Sequence, residues 1–571
     1  MTNVFRQAID EVLPSELCRH LGDGPGWQVE HGQQVLEWES LGAPERRRGR
    51  VVWHAVHNTG LDAEVTVEQD FERTAVRLQV NLTNHNSSPS IPLSAIKPLV
   101  LLWPELSQEV TRLRGVGGGS MEYYYPPSAY RVNDVMLRRT SIAPDSFRVE
   151  SAPDGRSSGT WLPFLQMTLG DPVNAGLVVA LEWSGKWYQQ LRCVRTTQVT
   201  MAPDFILEAG IPVEGIILDP GETLALPTVH IIGFRGDQDD GSNACRRYVN
   251  ERICPPLADD RPLPLTNYCH WFWIGTDYDE ALLRKQVDRA AELGVEEYLL
   301  GGAWNVGTAR GGEYKSGVGN WDRADPQRFP NGLESFADYV RGKGLRFGLW
   351  FDIEDANRNS DLARQHPDWL IDIGSENLHL NLGIREAQDY AINTIGGWLR
   401  RLSADRVRLD YNLGPAPYWK KLDPTGKIQF QHVAGLYTLL DALRHDFPNC
   451  TIDDCASGGR RIDLGYLRRA HLVFISDYTE GRTICRFMQL GANRFLPGHL
   501  LNCTVATTPG AGDAPISDAV IISRMAGALS INGDIASWSP ELTVRVANLV
   551  RSYKEFRHLL KQDFYPLTPQ A

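Results

Sequence analysis

The sequence predicts an N-terminal β-sandwich, then a (β/α)8 barrel, then a helical C-terminal end. Three observations predict it. From about residue 27 to 235, short apolar segments repeat with a period of two and are separated by turn formers. Residues 255–264 hold four prolines in ten positions and mark a boundary. From Cys269 onward, short apolar runs alternate with helical patterns over about 250 residues, with no Gly-x-Gly-x-x-Gly after the first run, which favours a barrel over a doubly wound sheet.

In the sandwich, Val76, Leu78, Val80 and Leu82 alternate with polar residues, the pattern of a half-buried strand, and residues 176–183 read as a fully buried one. Asn58-Thr59-Gly60, Pro153-Asp154-Gly155 and Asp219-Pro220-Gly221 supply turns. Gly115 to Tyr130 is a Gly-rich, Tyr-rich loop suited either to binding or to packing between domains. The expected division is 1–240 for the sandwich, 241–268 for a linker with a helix over 243–253, and 269–571 for the barrel with its C-terminal helices. Barrel strands are expected at 269–274, 295–300, 345–350, 407–410, 450–453 and 472–475, and a helix over 277–293 with Asp277 as its N-cap. The last 60 or so residues read as helical, notably 540–560.

Composition narrows the function. A hydrophobic content of 42% allows a large core. The net charge of −12 argues against nucleic acid or an anionic membrane as partner. No apolar run is long enough to span a bilayer, and the start lacks the basic-then-apolar pattern of a leader. Nine scattered cysteines form neither a disulfide framework nor zinc-finger spacing, so a reducing cytoplasm is expected. The many aromatics, with 16 Trp among them, suit stacking on sugars, although core packing alone also accounts for them.

The stretch Arg406-Val407-Arg408-Leu409-Asp410-Tyr411-Asn412 organises the chemistry. A helical face of Ala391, Ile392, Ile395, Trp398, Leu399 and Leu402 leads into this short strand, and Asp410 stands at its C-terminal tip, where barrel residues face the ligand. Further acids collect at predicted strand ends: Asp352 and Glu354, Asp453 and Asp454, and Asp477. Single acids there are commonly helix caps, but a set of them on one rim suits glycoside hydrolysis, which needs one ionised carboxylate and one that holds a proton. Metal binding is the alternative, weakened by the lack of histidines at ligand spacing.

Several segments resemble glycoside hydrolase family 36, the α-galactosidase and raffinose-synthase-like group. Gly348-Leu349-Trp350-Phe351-Asp352-Ile353-Glu354, Ser360-Asp361-Leu362 and His366-Pro367-Asp368-Trp369 resemble its Gly-Leu-Trp-x-Glu-Pro-Glu, Ser-Asp-Leu and His-Pro-Asp-Trp stretches. Phe329 to Leu333 matches Phe-Pro-x-Gly-Leu, Cys455 to Gly465 matches Cys-Ala-Ser-Gly-Gly-x-Arg-x-Asp-x-Gly, and Ser476 to Glu480 resembles Ser-Asp-x-Thr-Asp. The sandwich agrees through Ser184-Gly185-Lys186-Trp187 and Leu218 to Glu222, so that the resemblance runs from roughly 30 to 565 in the family's order. It implies a retaining α-glycosidase that needs no cofactor or metal and acts on a small glycoside or oligosaccharide. Asp410 would be the nucleophile and Asp477 the acid/base, with the carboxyls roughly 5–5.5 Å apart. Arg408, Trp350, Asp352, Cys455, Gly458, Arg461, Trp304 and Asn412 would bind substrate. Cys455 also fits a core thiol, and Arg461 a structural pair with Asp463. A homo-oligomer is expected from the same resemblance.

The departures bear on specificity. The family's Asp-Asp-Gly-Trp, whose acids grip galactose hydroxyls, is here Gly301-Gly302-Ala303-Trp304. Loss of both acceptors should change the sugar. Arg310 and Lys315 follow and suit either a negative group or a solvated loop. The family lysine is Arg408, its Gly-Asp-Trp is Gly319-Asn320-Trp321, and the C-terminal β domain that members carry beyond the equivalent of Asp563 to Tyr565 is not in this sequence. A transglycosylase of the raffinose-synthase type and a non-catalytic sugar-binding relative are the alternatives.

Overall fold

The computed structural model describes residues 2–104, 111–117, 132–137, 147–194, 204–259, 261–477, 479, 484–506 and 517–567. The N-terminal region forms two antiparallel sheets, one of six strands and one of ten, that share an apolar core. Ala75–Asn84 is one central strand, and Val76, Leu78, Val80 and Leu82 are all buried. Ala175–Glu182 is buried along its whole length, because one face meets the sandwich core and the other meets the barrel. Gly115 to Gly117 end the strand Thr111–Gly117, and 118–130 of the expected Tyr-rich loop lie outside the described residues.

Asp237 caps the connecting helix Gln238–Tyr248, with Asp240 completing a capping box, and a π turn, Val249–Ile253, continues it. The expected helix therefore starts five residues earlier than 243. Its Cys245, Tyr248, Val249 and Ile253 join sandwich residues such as Phe164 and Phe234 to barrel residues such as Leu464 and Leu501 in one core. Glu182 adds a buried charged link. It accepts 2.8 and 2.9 Å bonds from Arg468 of the barrel and a 2.9 Å bond from His230.

Eight parallel strands close the barrel: Asn267–Cys269, Glu297–Leu300, Arg346–Phe351, Arg406–Leu409, Thr451–Asp454, Leu472–Phe474, Leu501–Ala506 and Ala528–Asn532. The first is shorter than the expected 269–274. Its chain turns at His270 into a short helical segment, Trp271–Ile274, in which Trp273 takes a φ of +92°. This turn carries Trp271 over the barrel mouth. The helix after it is Glu280–Glu292, capped by Asp279, which accepts from the Leu282 amide at 2.9 Å, rather than by Asp277. Arg385–Leu402 buries Ala391, Ile395, Trp398, Leu399 and Leu402 against the barrel, the face read from its period. Pro540–Phe556 closes the described chain with a Ser539 cap and a 3-10 turn after it. The seven cysteines whose side chains are described are free thiols, and no helix among the described residues is long and apolar enough to cross a membrane.

Inside the barrel, Arg406 is fully buried and spans three strands. It bonds Glu297 at 2.6 Å and Asp453 at 2.5 Å. Removing one partner of a buried ion cluster leaves the others uncompensated. Arg406→Leu should therefore lower stability by about 3–5 kcal/mol, read as a fall in the urea midpoint; an unchanged midpoint would mean that the cluster contributes nothing.

Candidate active site

Three N–H groups from three segments converge on Asp410. Trp350 Nε1 donates to Oδ2 at 3.0 Å, and the amides of Tyr411 and Ser457 each donate to Oδ1 at 2.9 Å. Its own amide bonds Phe351 at 2.7 Å, which ties the strand tip to the neighbouring strand. The carboxylate is an acceptor in every one of these bonds, so its plane is fixed.

Ser457 reaches Asp410 because the backbone after the fifth strand is folded into the left-handed region. Ala456 and Ser457 have φ of +56° and +52°, followed by Gly458 at +72° and Gly459 at +84°. Two non-glycine residues in that region cost about 1–3 kcal/mol each, and a run of this kind turns successive amides toward one point. Gly458 also packs against the next strand's end, where an added Cβ would lie 2.1 Å from the Asp477 amide nitrogen. This close approach and the positive φ each favour glycine there.

Asp410 and Asp477 line one cavity of about 510 Å³ at the C-terminal mouth of the barrel. Arg408, Trp350, Asn412 and Cys455 line it too, as the sequence reading expected. Arg408 bonds Asp453 through Nε at 2.6 Å and lies over the Phe474 ring, and its Nη2 has no hydrogen-bond partner among the described residues. Burial, and then the Asp410 and Asp477 carboxyls, push the Cys455 thiol well above its ordinary range, so it is a neutral thiol.

Four expected pocket residues sit elsewhere. Trp304 is wholly buried, packed on Trp321, Phe351 and Trp398 with its indole N–H on the Trp350 carbonyl, and belongs to the core. Arg461 lies behind Tyr411, bonded to Glu354 at 2.5 Å. Asp463, the partner considered for it from sequence, accepts from Ser157 and Ser184 instead. Asp352 is fully buried, and Asn412 of the cavity wall donates to it through Nδ2 at 2.8 Å. Gly458 is the backbone spacer just described. Of the two cations that follow Gly302, Lys315 lines the cavity and bonds the Asn412 carbonyl at 2.7 Å, while the exposed Arg310 is held by Asp277 and Asp279.

The crowd of acids resolves into two kinds. Burial, and then the nearby Asp355 and Asp410, hold Asp352 well above the usual carboxylate range, and burial does the same to Asp454. In both, burial and neighbouring carboxyls disfavour the ionised form. Glu354 and Asp453 go the other way. Burial opposes their ionisation, but Arg461 and His432 hold Glu354 down to about 2, and Arg406 and Arg408 lower Asp453. His432 accepts from the Leu382 amide through Nδ1, so its Nε2 carries the proton given to Glu354 at 2.8 Å. The two carboxylates shifted down are the two hydrogen-bonded to arginines.

Sequence reasoning missed Trp271 and Arg156. Trp271 stacks nearly parallel to Trp350, with ring centres 6.4 Å apart and planes 10° apart, and lies against the two glycines. A Cβ at Gly301 or at Gly302 would come within 3.1 Å of Trp271. Nothing in a Cys-His-Trp-Phe-Trp run announces a turn over the barrel mouth. Arg156 lines the cavity from a sandwich loop that the sequence marks only as a turn.

The profile of the melibiase family matches residues 235–563, more than half of the chain. The chain belongs to the melibiase family. The glycoside hydrolase family 36 resemblance read from the motifs is borne out. Among curated relatives, the probable alpha-galactosidase C of Aspergillus terreus is 28% identical over 375 residues, 62% of this chain and 49% of its own. The alpha-galactosidase of Escherichia coli is 28% identical over 477 residues, 79% of this chain and 64% of its own. The chain thus spans about half to two thirds of the length of these relatives. The GH36 alpha-galactosidase AgaA of Geobacillus stearothermophilus shares the fold, with a TM-score of 0.78 at 19% identity over 95% of this chain and 77% of that one. A variant of that enzyme solved with raffinose superposes equally well, at 18% identity over 94% of this chain and 76% of that one.

The Glu354 value lies below the ordinary 4.5 for a glutamate, so its contribution to stability is complete above that pH and is lost as pH falls toward about 2. Glu354→Gln should cost about 3–5 kcal/mol at neutral pH, with a deficit relative to the parent that shrinks below pH 4.5. Urea melts at neutral pH and near pH 3 check this; a deficit equal at both would remove the ion pair as its cause.

Proposed function

We propose that this chain is a retaining α-glycosidase, related to the α-galactosidases but with an altered sugar preference. The observation that carries the reading is the Asp410 carboxylate, oriented by three N–H donors in the cavity that Asp477 also lines. One Asp410 oxygen attacks the anomeric carbon and forms an ester as the glycosidic C–O bond breaks. Asp477 gives its proton to the departing oxygen. Asp477 then takes a proton from water, whose oxygen attacks the same carbon and frees Asp410, so two inversions restore the α configuration. The Nη2 group of Arg408, without a partner among the described residues and in the cavity that Asp410 lines, is suited to a sugar hydroxyl.

The altered preference rests on one wall of the cavity. Cys269, Trp271, Phe272, Leu299 and Gly301 make an apolar surface across from the charged strand ends. A sugar hydroxyl pressed against that surface loses its water without gaining an acceptor, which costs about 1–3 kcal/mol. The raffinose-type α-galactosides bound by the Geobacillus relative are thus the reference substrates rather than the expected best ones.

Nitrophenyl glycosides test this directly: α-galactoside, α-N-acetylgalactosaminide, α-glucoside, β-L-arabinopyranoside and anionic variants. Turnover of at least one is expected, with kcat/KM on the α-galactoside at least about tenfold below the best of the set. An α-galactoside that outperforms every other sugar would overturn the altered preference, and silence on all of them would overturn the enzymatic reading.

A further inference from the structure

The loop between the sandwich strands Phe147–Glu150 and Trp161–Leu169 enters the barrel mouth. It is pinned at several points. The Asp154 carbonyl accepts from the Ala416 amide at 2.8 Å, and Ser157 donates to Asp463 at 2.5 Å. Ser158 donates to the Gly459 carbonyl at 2.8 Å and accepts from the Ile462 amide at 2.7 Å. From the sandwich side, Trp187 donates to the Ser157 carbonyl at 2.6 Å. Gly155 sits so close to Pro415 and Ala416 that a Cβ would meet the Ala416 nitrogen at 2.9 Å, and its φ is +100°.

This anchoring delivers one side chain to the site. Arg156 is 6% exposed and lines the cavity. Asp154 holds two of its nitrogens, Nε at 3.1 Å and Nη2 at 2.6 Å. The third, Nη1, donates to Ser457 Oγ at 2.7 Å and reaches the Tyr411 carbonyl at 3.4 Å. Ser457 Oγ in turn donates to Asn412 Oδ1 at 2.8 Å. Ser457 is one of the two non-glycine residues held left-handed in the loop after the fifth strand, and its amide is one of the three donors to Asp410. The loop that carries this donor is strained, and its hydroxyl is clamped from the sandwich.

We propose that Arg156 is a positioning residue for Asp410: it holds Ser457 in the strained conformation that aims the Ser457 amide at the carboxylate, which makes the sandwich a working part of the active site. The inference rests on the reading of Asp410 as the nucleophile. It accounts for three facts together: an arginine held through two nitrogens by one Asp154 oxygen at the edge of a cavity, its remaining nitrogen spent on a serine hydroxyl, and that serine's unfavourable backbone. A guanidinium is suited to the task because its planar fork makes the Asp154 and Ser457 bonds at once, which an ammonium cannot do in the same geometry.

Steady-state kinetics of Arg156→Ala and Arg156→Lys test it, on the aryl glycoside that the parent turns over fastest. Misaiming a reacting group by about 1 Å can cost about 100-fold in rate, so kcat of Arg156→Ala should fall about 10- to 100-fold with KM changed less than about threefold. Millimolar guanidinium should return at least about tenfold of the loss, and Arg156→Lys should fall between parent and Ala. A parent-like kcat, an effect confined to KM, or a loss that guanidinium leaves untouched in a protein with the parent melting temperature would each overturn the proposal. If Arg156→Ala does not fold, Asp154→Asn leaves the guanidinium present but untethered; a kcat drop there supports the proposal and a parent-like kcat overturns it. Asp410→Ala separates the two readings. If that variant keeps its turnover, the nucleophile assignment falls. If it is inactive and azide, but not guanidinium, restores turnover while Arg156→Ala behaves like the parent, only the positioning role falls.

Discussion

One carboxylate inside the barrel carries much of the arrangement. Asp453 Oδ2 takes Arg406 Nη2 at 2.5 Å and Arg408 Nε at 2.6 Å, so both arginines of the fourth strand are clamped to the fifth. Arg406 extends the clamp to Glu297 on the second strand. The fourth strand ends in Asp410 and the fifth leads into the left-handed loop that donates to it. A shift between these strands would misplace Asp410 and its donor together. Buried charge is expensive unless paired and hydrogen-bonded. Here each guanidinium is paired, while burial disfavours ionisation of Asp352 and of Asp454, the latter even with Arg461 Nε 3.5 Å away.

The two parts of the molecule meet at different heights with different chemistry. Low down, Phe164, Phe234 and the connecting helix give a continuous apolar core with the barrel, which fixes the approach of the sandwich. Higher up, the contacts of the 151–159 loop are polar and end at the cavity through Arg156. An apolar contact is non-directional and tolerant; a chain of short hydrogen bonds is directional. The first brings the sandwich to the barrel, and the second transmits its position to single atoms. Gly458 and Gly155 serve this closeness, since a methyl group at either would push against a backbone nitrogen.

Much of this was legible in the sequence. Period and breakers located the sandwich and the barrel, and the helical face before the fourth strand placed Asp410 at a strand tip, where it stands. The motifs brought Asp477, Arg408, Trp350, Asn412 and Cys455 to one cavity. What was not legible is side-chain direction and long-range contact. Trp304 and Trp350 are both tryptophans of family motifs, but Trp304 packs into the core and Trp350 into the cavity. Asp352 and Glu354 are two residues apart and meet different partners, Asn412 and the Arg461–His432 pair. Arg461 was read toward a sugar or toward Asp463, and the choice of Glu354 depends on a residue 107 positions away. Arg156 is 301 positions from the serine it holds, and no local pattern encodes that meeting.

The account stands on a covalent bond between substrate and Asp410. The most direct measurement is peptide mass mapping after incubation with a fluorinated glycosyl fluoride of the preferred sugar, chosen so that the second step is slow. The account predicts one sugar adduct per chain, on the peptide that carries Asp410. An adduct on another carboxylate, or turnover of the reagent to inverted product with no adduct at all, would contradict it.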